Sequence, residues 1–517
     1  MHRFLPLTAL ALVSAAARAQ PDAAAYRVYP LPVESPIHTT PPPPADARVL
    51  VVGPARAPAS PFGWHDTDGT PGPEFTTTQG NNALAYLDRT ADNTPHPGDF
   101  PDGGPSLLFD FPLDLTQPPT AYGNAVVADL FFWTNVVHDV LYGYGFDEAA
   151  GNFQENTYGR GGLGGDPVRA EAQDGSGTNG GNFFTPPDGA RPRMQMFVWT
   201  LASPPRDGAL DHGIVVHELT HGLSQRLTGG PGTTSCLNNA EQPGEGWSDW
   251  YALMLTMEPG DIGPDPRGIA TYVLGQPPDG PGLRPVPYTT DFLVNDYTYG
   301  DTRTLPVPHG TGFVWGTILW EVAWDLIATH GFDPDLYDAD GGAGNQLILN
   351  LVTEGMKLQP CSPGFVDARD AILAADQALY GGAHTTLLWT AFARRGLGFS
   401  ASQGSPNTNA DNQEAFDVPT TTAAEPAVPD APLVLDPVAP NPVRGTARLT
   451  FVLSAPGPVR LALYDVRGRE VAVLMEPPRP AGRHTARLDV RGLAAGVYVL
   501  RLEANGAVRT QRLVVAR

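Results

Sequence analysis

HELTHGLSQRL, residues 217–227, decides how this chain reads. Residues four apart lie on one face of a helix, so His217 and His221 can turn two imidazole nitrogens towards one metal ion. Glu218 is rotated from His217 by about 100°. That places its carboxylate beside a water on the metal rather than on the metal itself. A zinc ion lowers the pKa of such a water to about 7, and Glu218 is then the group that takes the proton and passes it on.

A catalytic zinc site needs three protein ligands and one open position. The extended form HExxHxxGxxH would supply a third histidine, but it requires Gly at 224 and His at 227, where the chain has Ser224 and Leu227. The other source is a glutamate on a following helix. GEGWSDWYALML (244–255) offers Glu245, with Asp249 one turn later. Glu245 can reach the metal, the glycines beside it allow close backbone approach, and Asp249 can hold a ligand imidazole from behind.

Composition bounds the rest. At 517 residues the chain is too long for one core. Its net charge of -23 argues against nucleic acid as a partner, since backbone binding needs a basic face. The charge is unevenly divided: residues 431–517 carry 13 Arg against 6 acidic residues, leaving -30 on the remainder. MHRFLPLTALALVSAAARAQ reads as a secretory signal covering 1–19, with an A-x-A site at Ala17-Arg18-Ala19. No later run is apolar for long enough to cross a bilayer. Export permits a disulfide between the two cysteines, Cys236 and Cys361; two buried thiols are the alternative.

Residues 20–120 read as short strands and long loops, with ARVLVV and SLLFDFPL as strand candidates. A helix is expected over 124–142. Glycine-rich loops follow over 151–205, with a strand in RMQMFVWT. Helices are expected at 211–227, 245–257, 312–329, 345–357, 364–379 and 384–395. Residues 406–432 are polar, Pro- and Thr-rich and aperiodic, as in a linker. From 433 to 517, short alternating segments separated by turn signals predict a small β-sandwich.

HELTHG followed by GEGWSD resembles the fungalysin family of secreted zinc metallopeptidases, relatives of the thermolysin group. The resemblance extends through VHDVLYGYGFDEAAGNFQ, AEAQDGSGTNGGNFFTPPDGARPRMQMFVW, LSQRLTGGP, LRPVPYTTD, MKLQPCSPGF and ARDAILAADQALYGG, and covers roughly residues 26–400. It implies an α+β, thermolysin-like two-lobed metallopeptidase over 20–405, with a β-rich lobe to 210 and a mainly helical lobe from 211. It implies one catalytic Zn2+ on His217, His221 and Glu245, with Glu218 as base and Asp249 behind a ligand. His309, in VPHGTGFVWGTILWEV, matches the family's histidine before a long helix and is implied to stabilise the oxyanion. Arg284, in LRPVPYTTD, is implied to grip a substrate carbonyl or to form a structural ion pair. Asn182, in TNGGNFF, is implied to lie on the edge that binds peptide backbone. The expected activity is hydrolysis of extracellular proteins and peptides.

Family members carry a long inhibitory prosegment. Here YRVYPLPVESP, which resembles the start of the mature catalytic part, follows almost directly after the signal segment; the chain is expected either to fold without that prosegment or to use something else in its place, and latency is not implied. APNP, LYDVRGREV and GVYVLRL resemble the C-terminal sorting domains of the bacterial type IX secretion system. That implies the secretion machinery as a partner and an extracellular or surface-attached location. A Ca2+ requirement finds no motif: the acidic loop FDPDLYDADGG (332–342) has Tyr337 at the third EF-hand ligand position and no Glu at 344. His138, alone on an apolar helix, reads as a core histidine. The rival function, a non-catalytic surface adhesin on the same scaffold, would call for a lost ligand or base, and none is lost.

Overall fold

The computed structural model describes residues 23–419 and, between 433 and 516, all but 436–437, 439–440, 454–456, 466–468, 476–481 and 505–506. The expected signal segment 1–19 and the stretch 420–432 lie outside the described residues. The chain divides after residue 419 into two compact units, mixed α+β and all-β.

In chain order the first unit contains β1 (Ala25–Val28), β2 (Val49–Val52), β3 (Ala83–Leu87), β4 (Leu108–Phe109), α1 (Gly123–Gly143), β5 (Val168–Ala172), β6 (Gly181–Phe184), β7 (Arg193–Met196), β8 (Val198–Trp199) and β9 (Arg206–Asp207). The helices α2 (His212–Leu227), α3 (Gly244–Leu255), α4 (His309–His330), α5 (Gly344–Leu358), α6 (Phe365–Tyr380) and α7 (Thr385–Arg394) follow. One sheet runs β2-β1-β4. A second runs β3-β5-β7-β6, with β3, β5 and β7 parallel and β6 added antiparallel at the end, and β8 pairs with β9 in a two-stranded sheet.

α1 is apolar nearly all round because it is covered nearly all round, by β1, β3, β5 and α2. Its buried polar groups are paired, as burial requires. Asp129 accepts from Tyr29 N at 3.0 Å and faces His212 Nε2 at 2.6 Å. Asp139 accepts from Ser60, Trp64 and the backbone of Arg56. His138 is a satisfied core histidine, between Asp139 and Asn152. The seven expected helices are all present.

Three expectations over the first unit are corrected. The stretch 151–205 is not only loops before RMQMFVWT, because it also forms β5 and β6. VRAEA in β5 alternates apolar and polar residues over only five positions, and the polar face is also covered, with Glu171 buried. RMQMFVWT itself splits into β7 and β8 at Phe197, whose N–H still bonds Gly180 O in the β6–β7 register while its carbonyl accepts from Gly208 N beside β9. The expected linker also starts too early. Residues 406–419 are fixed to the first unit by hydrogen bonds, with Ala415 packed against the core. Asn412 is buried and donates to Thr302 Oγ1 at 2.7 Å, Ala415 N donates to Gly396 O at 2.8 Å, and Pro406 O accepts from Glu241 N at 3.0 Å.

The second unit comprises β10 (Leu433–Leu435), β11 (Thr446–Leu453), β12 (Val459–Asp465), β13 (Glu470–Met475), β14 (Gly482–Asp489), β15 (Gly496–Ala504) and β16 (Ala507–Val515). They form two antiparallel sheets, β10-β11-β14 and β13-β12-β15-β16, around one core. Strand alternation sends Leu449, Phe451, Leu461, Leu463, Leu500 and Leu502 inward while Arg501 stays outside. No helix among the described residues is long and apolar enough to cross a membrane.

Cys236 and Cys361 are bonded, with Cα atoms 4.6 Å apart and 125 residues between them in sequence. The bridge ties the α2–α3 connection to the α5–α6 connection, beside a Ser362 N–H to Cys236 O hydrogen bond. A loop of that length corresponds to about 5 kcal/mol of unfolded-state entropy. Two thiols should therefore alkylate only after reduction, and the double Cys→Ser variant should melt several degrees below the native chain.

Candidate metal centre and cleft

α2 carries the HExxH stretch and is pinned at both ends by buried polar groups. At its start, the ring of His212 bonds Asp129 Oδ2 at 2.6 Å and Val33 O at 2.7 Å, and stacks on Trp133. At its end, the buried Arg226 donates to Asp166 Oδ2 at 3.1 Å and to the carbonyls of Gly151 and Pro186, each at 2.8 Å. Val215, Val216, Leu219 and Leu223 are buried in the core, while His217, His221 and Gln225 line a cleft. Gly222 is needed between them: a Cβ there would stand 2.7 Å from the rings of Phe153 and Phe183.

His217, His221 and Glu245 bring one donor atom each to within 4.8 Å of the others. His217 Nε2 lies 3.2 Å from His221 Nε2 and 3.3 Å from Glu245 Oε2, and His221 Nε2 lies 3.7 Å from Glu245 Oε1. Behind them, His217 Nδ1 faces Asp249 Oδ1 at 2.8 Å. With the proton of a neutral His217 on Nδ1, its Nε2 offers a lone pair. Two imidazole nitrogens at 3.2 Å with a carboxylate beside them would repel unless a positive centre sits between. Donors about 2.0–2.1 Å from one zinc stand about 3.3–3.4 Å apart along a tetrahedral edge. The donor set fits such an ion in both chemistry and spacing.

Asp249 is wholly buried, and both of its oxygens are shared. Oδ1 accepts from His217 Nδ1 and from Arg284 Nη2 at 2.9 Å; Oδ2 accepts from Arg284 Nε at 2.6 Å and from Tyr288 OH at 2.5 Å. Against the opposing effect of burial, Arg284 and the bond with His217 hold its carboxyl well below the usual range. Glu245, beside Arg284 Nη2 at 3.3 Å and His217, is held low in the same way. Glu218 behaves oppositely: burial pushes it up to about 7, with His217 opposing and Glu245 adding to the rise.

The cleft encloses about 410 Å³. Glu218 faces it from α2, and Gly180 with Gly181 and Asn182 of β6 line it as well. A Cβ on Gly181 would lie 2.8 Å from Glu218 Oε1, so only glycine lets the strand approach this carboxylate. Asn182 sits on β6, the end strand of its sheet, in register with Gln195. His309 opens α4, with Nε2 3.5 Å from Glu245 Oε1 and its side chain 66% exposed. Arg284 also lines the cleft while engaged with Asp249. Thus all eight residues named from sequence surround one cleft or, for Asp249, stand directly behind it.

Sequence reading missed Tyr288, Gly181 and the walls Trp199, Ile214, Ile269 and Leu283. Tyr288 lies in LRPVPYTTD four residues after Arg284, and that spacing was the available signal. The α3–α4 contact is set by glycines: a Cβ on Gly246 would meet Gly312 O at 2.2 Å, and one on Gly312 would meet Glu245 Cβ at 2.4 Å.

A helix-borne His-His-Glu set, backed by a carboxylate and opening on a cleft edged by a β-strand, has the donor pattern of an HExxH metal site. Residues 25–401 match the family model described as fungalysin metallopeptidase (M36), and the chain belongs to that family. Residues 437–516 match a secretion system C-terminal sorting domain. An extracellular metalloproteinase of Pyricularia oryzae is 43% identical over 398 residues, covering 75% of this chain and 61% of the relative. One of Aspergillus fumigatus is 42% identical over 391 residues, covering 74% and 59%. The extracellular metalloproteinase 10 of Coccidioides posadasii is 43% identical over 385 residues, covering 73% and 59%. The chain spans about three-fifths of the length of these curated relatives.

Asp249→Asn keeps the shape but weakens the acceptor behind His217. Metal affinity should fall about 10–100-fold, read by competition with a calibrated chelator, with the far-UV circular dichroism unchanged.

Proposed function

We propose that this chain is a secreted zinc-dependent endopeptidase that hydrolyses peptide bonds of extracellular proteins. The observation that carries the reading is the 3.2–3.7 Å triangle of His217, His221 and Glu245 donors, with Glu218 in the same cleft. His217, His221 and Glu245 would hold the ion. When bound, zinc supplies Lewis acidity towards a carbonyl oxygen and towards water.

The protein's own groups do the rest. Glu218 takes a proton from the attacking water and returns it to the leaving amine; a carboxyl pushed up to about 7 suits both directions of transfer. Asp249 fixes the His217 ring and Arg284 fixes Asp249. His309, exposed at the cleft and free to turn, donates to the oxyanion that develops on the carbonyl oxygen. An extended substrate lies along β6, whose outer edge offers backbone groups, with Asn182 adding a side-chain amide. Arg284 presents its guanidinium to a substrate carbonyl from the opposite wall. Ile214, Ile269 and the partly exposed Leu283 give the cleft an apolar wall, which favours a large apolar side chain next to the scissile bond. The sorting-domain match at 437–516 supports delivery to the cell exterior by the type IX machinery.

The test is hydrolysis of a quenched casein substrate. Activity should vanish with a chelator and return with zinc; chelator-resistant hydrolysis would overturn the reading. Glu218→Gln should keep one zinc per chain and lose turnover by at least about a thousandfold, and normal hydrolysis by this variant would refute the base. His309→Ala should lower kcat by about 100-fold, with zinc content and KM little changed.

A further inference from the structure

The buried carboxylates of Asp88, Glu171 and Asp174 stand apart from the metal centre, and the hydrolysis just described does not use them. Asp88 follows β3, Glu171 lies within β5, and Asp174 is two residues past its end. The β3–β5 pairing and the bonds Asp88 N to Ala172 O (3.1 Å) and Gly175 N to Asp88 O (2.9 Å) bring the three together. One carboxylate oxygen from each lies within 4.8 Å of the others. The residues are 1%, 0% and 2% exposed.

Five of the six oxygens are aimed by hydrogen bonds. Asp88 accepts from Asn93 N at 2.8 Å, Thr90 Oγ1 at 3.2 Å and Asp92 N at 3.3 Å. Asp174 accepts from Ser176 N at 2.7 Å, from the Ser176 hydroxyl and from Gln195 Nε2 at 2.7 Å. Glu171 Oε1 accepts from Tyr86 OH at 2.6 Å. The sixth oxygen, Glu171 Oε2, is buried and accepts no hydrogen bond. Its nearest cationic atom, Arg193 Nε, is 3.7 Å away and itself has no hydrogen-bond partner. The Arg193 guanidinium is drawn instead to Asn93 Oδ1.

We infer that Asp88, Glu171 and Asp174 bind a hard divalent cation, calcium by its chemistry, that fastens the loop running from β5 to the cleft-lining β6. Three carboxylates out of water, with one oxygen accepting no hydrogen bond and its guanidinium neighbour 3.7 Å away, are costly without a closer positive centre. Burial, together with Asp88 and Asp174, pushes the Glu171 carboxyl up to about 7, with Tyr86 and Arg193 opposing, which expresses the same deficit of positive charge. Oxygen-only donors select calcium over zinc. Asp174 and Ser176 begin the segment that ends at Gly180 and Gly181 in the cleft wall, and Gln195, which holds Asp174, is the register partner of Asn182. The inference does not rest on the peptidase reading.

The test uses the full chain with zinc saturating. Terbium is titrated with excitation of tyrosine, since Tyr86 bonds Glu171 directly, and is then displaced with calcium; thermal melting is followed with and without calcium. Calcium should displace one terbium per chain and raise Tm by about 3–5 °C at hundredfold excess over its dissociation constant. Glu171→Gln should lose both effects while keeping its zinc. Asp174→Asn takes the same test if Glu171→Gln does not fold. A native chain that melts identically with and without calcium, or a Glu171→Gln chain that keeps the full calcium shift, would overturn the site. In the first case a proton on Glu171, or closure of Arg193 onto it, serves instead.

Discussion

Everything around the metal centre hangs on one buried carboxylate. Asp249, itself on α3, receives four hydrogen bonds from three residues on two other parts of the chain: His217 on α2, and Arg284 and Tyr288 on the segment after α3. A buried charge is tolerable only when paired and hydrogen-bonded, and this one is saturated. The arrangement fixes the His217 ring, sets the spacing between α2 and α3, and so determines where Glu245 stands relative to both histidines. Removing a donor would leave charge stranded in the core, which makes the node a structural element as well as a chemical one.

The second constraint is close approach. The cleft lies between helices and the last strand of a sheet, and each of its contacts is tighter than ordinary side chains permit. Gly222 admits two aromatic rings against α2, Gly181 admits β6 against Glu218, and Gly246 with Gly312 admits α4 against α3. The first unit thereby sets a β-strand edge, the Glu218 carboxylate and a donor triangle within one cleft of about 410 Å³. Buried polar anchors at both ends of α2, His212 with Asp129 and Arg226 with Asp166, keep that helix from sliding.

Local periodicity made the helices legible. HELTHGLSQRL and GEGWSDWYALML each state their geometry within one or two turns, so the donor set could be named before any coordinates. The alternating segments after residue 433 likewise announce a two-sheet module, because one face of each strand is apolar. What stayed hidden depends on partners far away in sequence. Nothing in VRAEA says that Glu171 will meet Tyr86 85 residues earlier, and nothing in the polar run 406–419 says that Asn412 will be buried against Thr302. Tyr288 offered only its spacing from Arg284, because its role is defined by Asp249, on a different element.

The α3–α4 crossing has an evolutionary side. Because backbone meets backbone at Gly246 and Gly312, the smallest heritable change available at either position, a single methyl group, must push α3 and α4 apart. Glu245 sits at that crossing, so the displacement would be delivered straight to the donor triangle. The positions that constrain this site therefore include residues with no functional group at all.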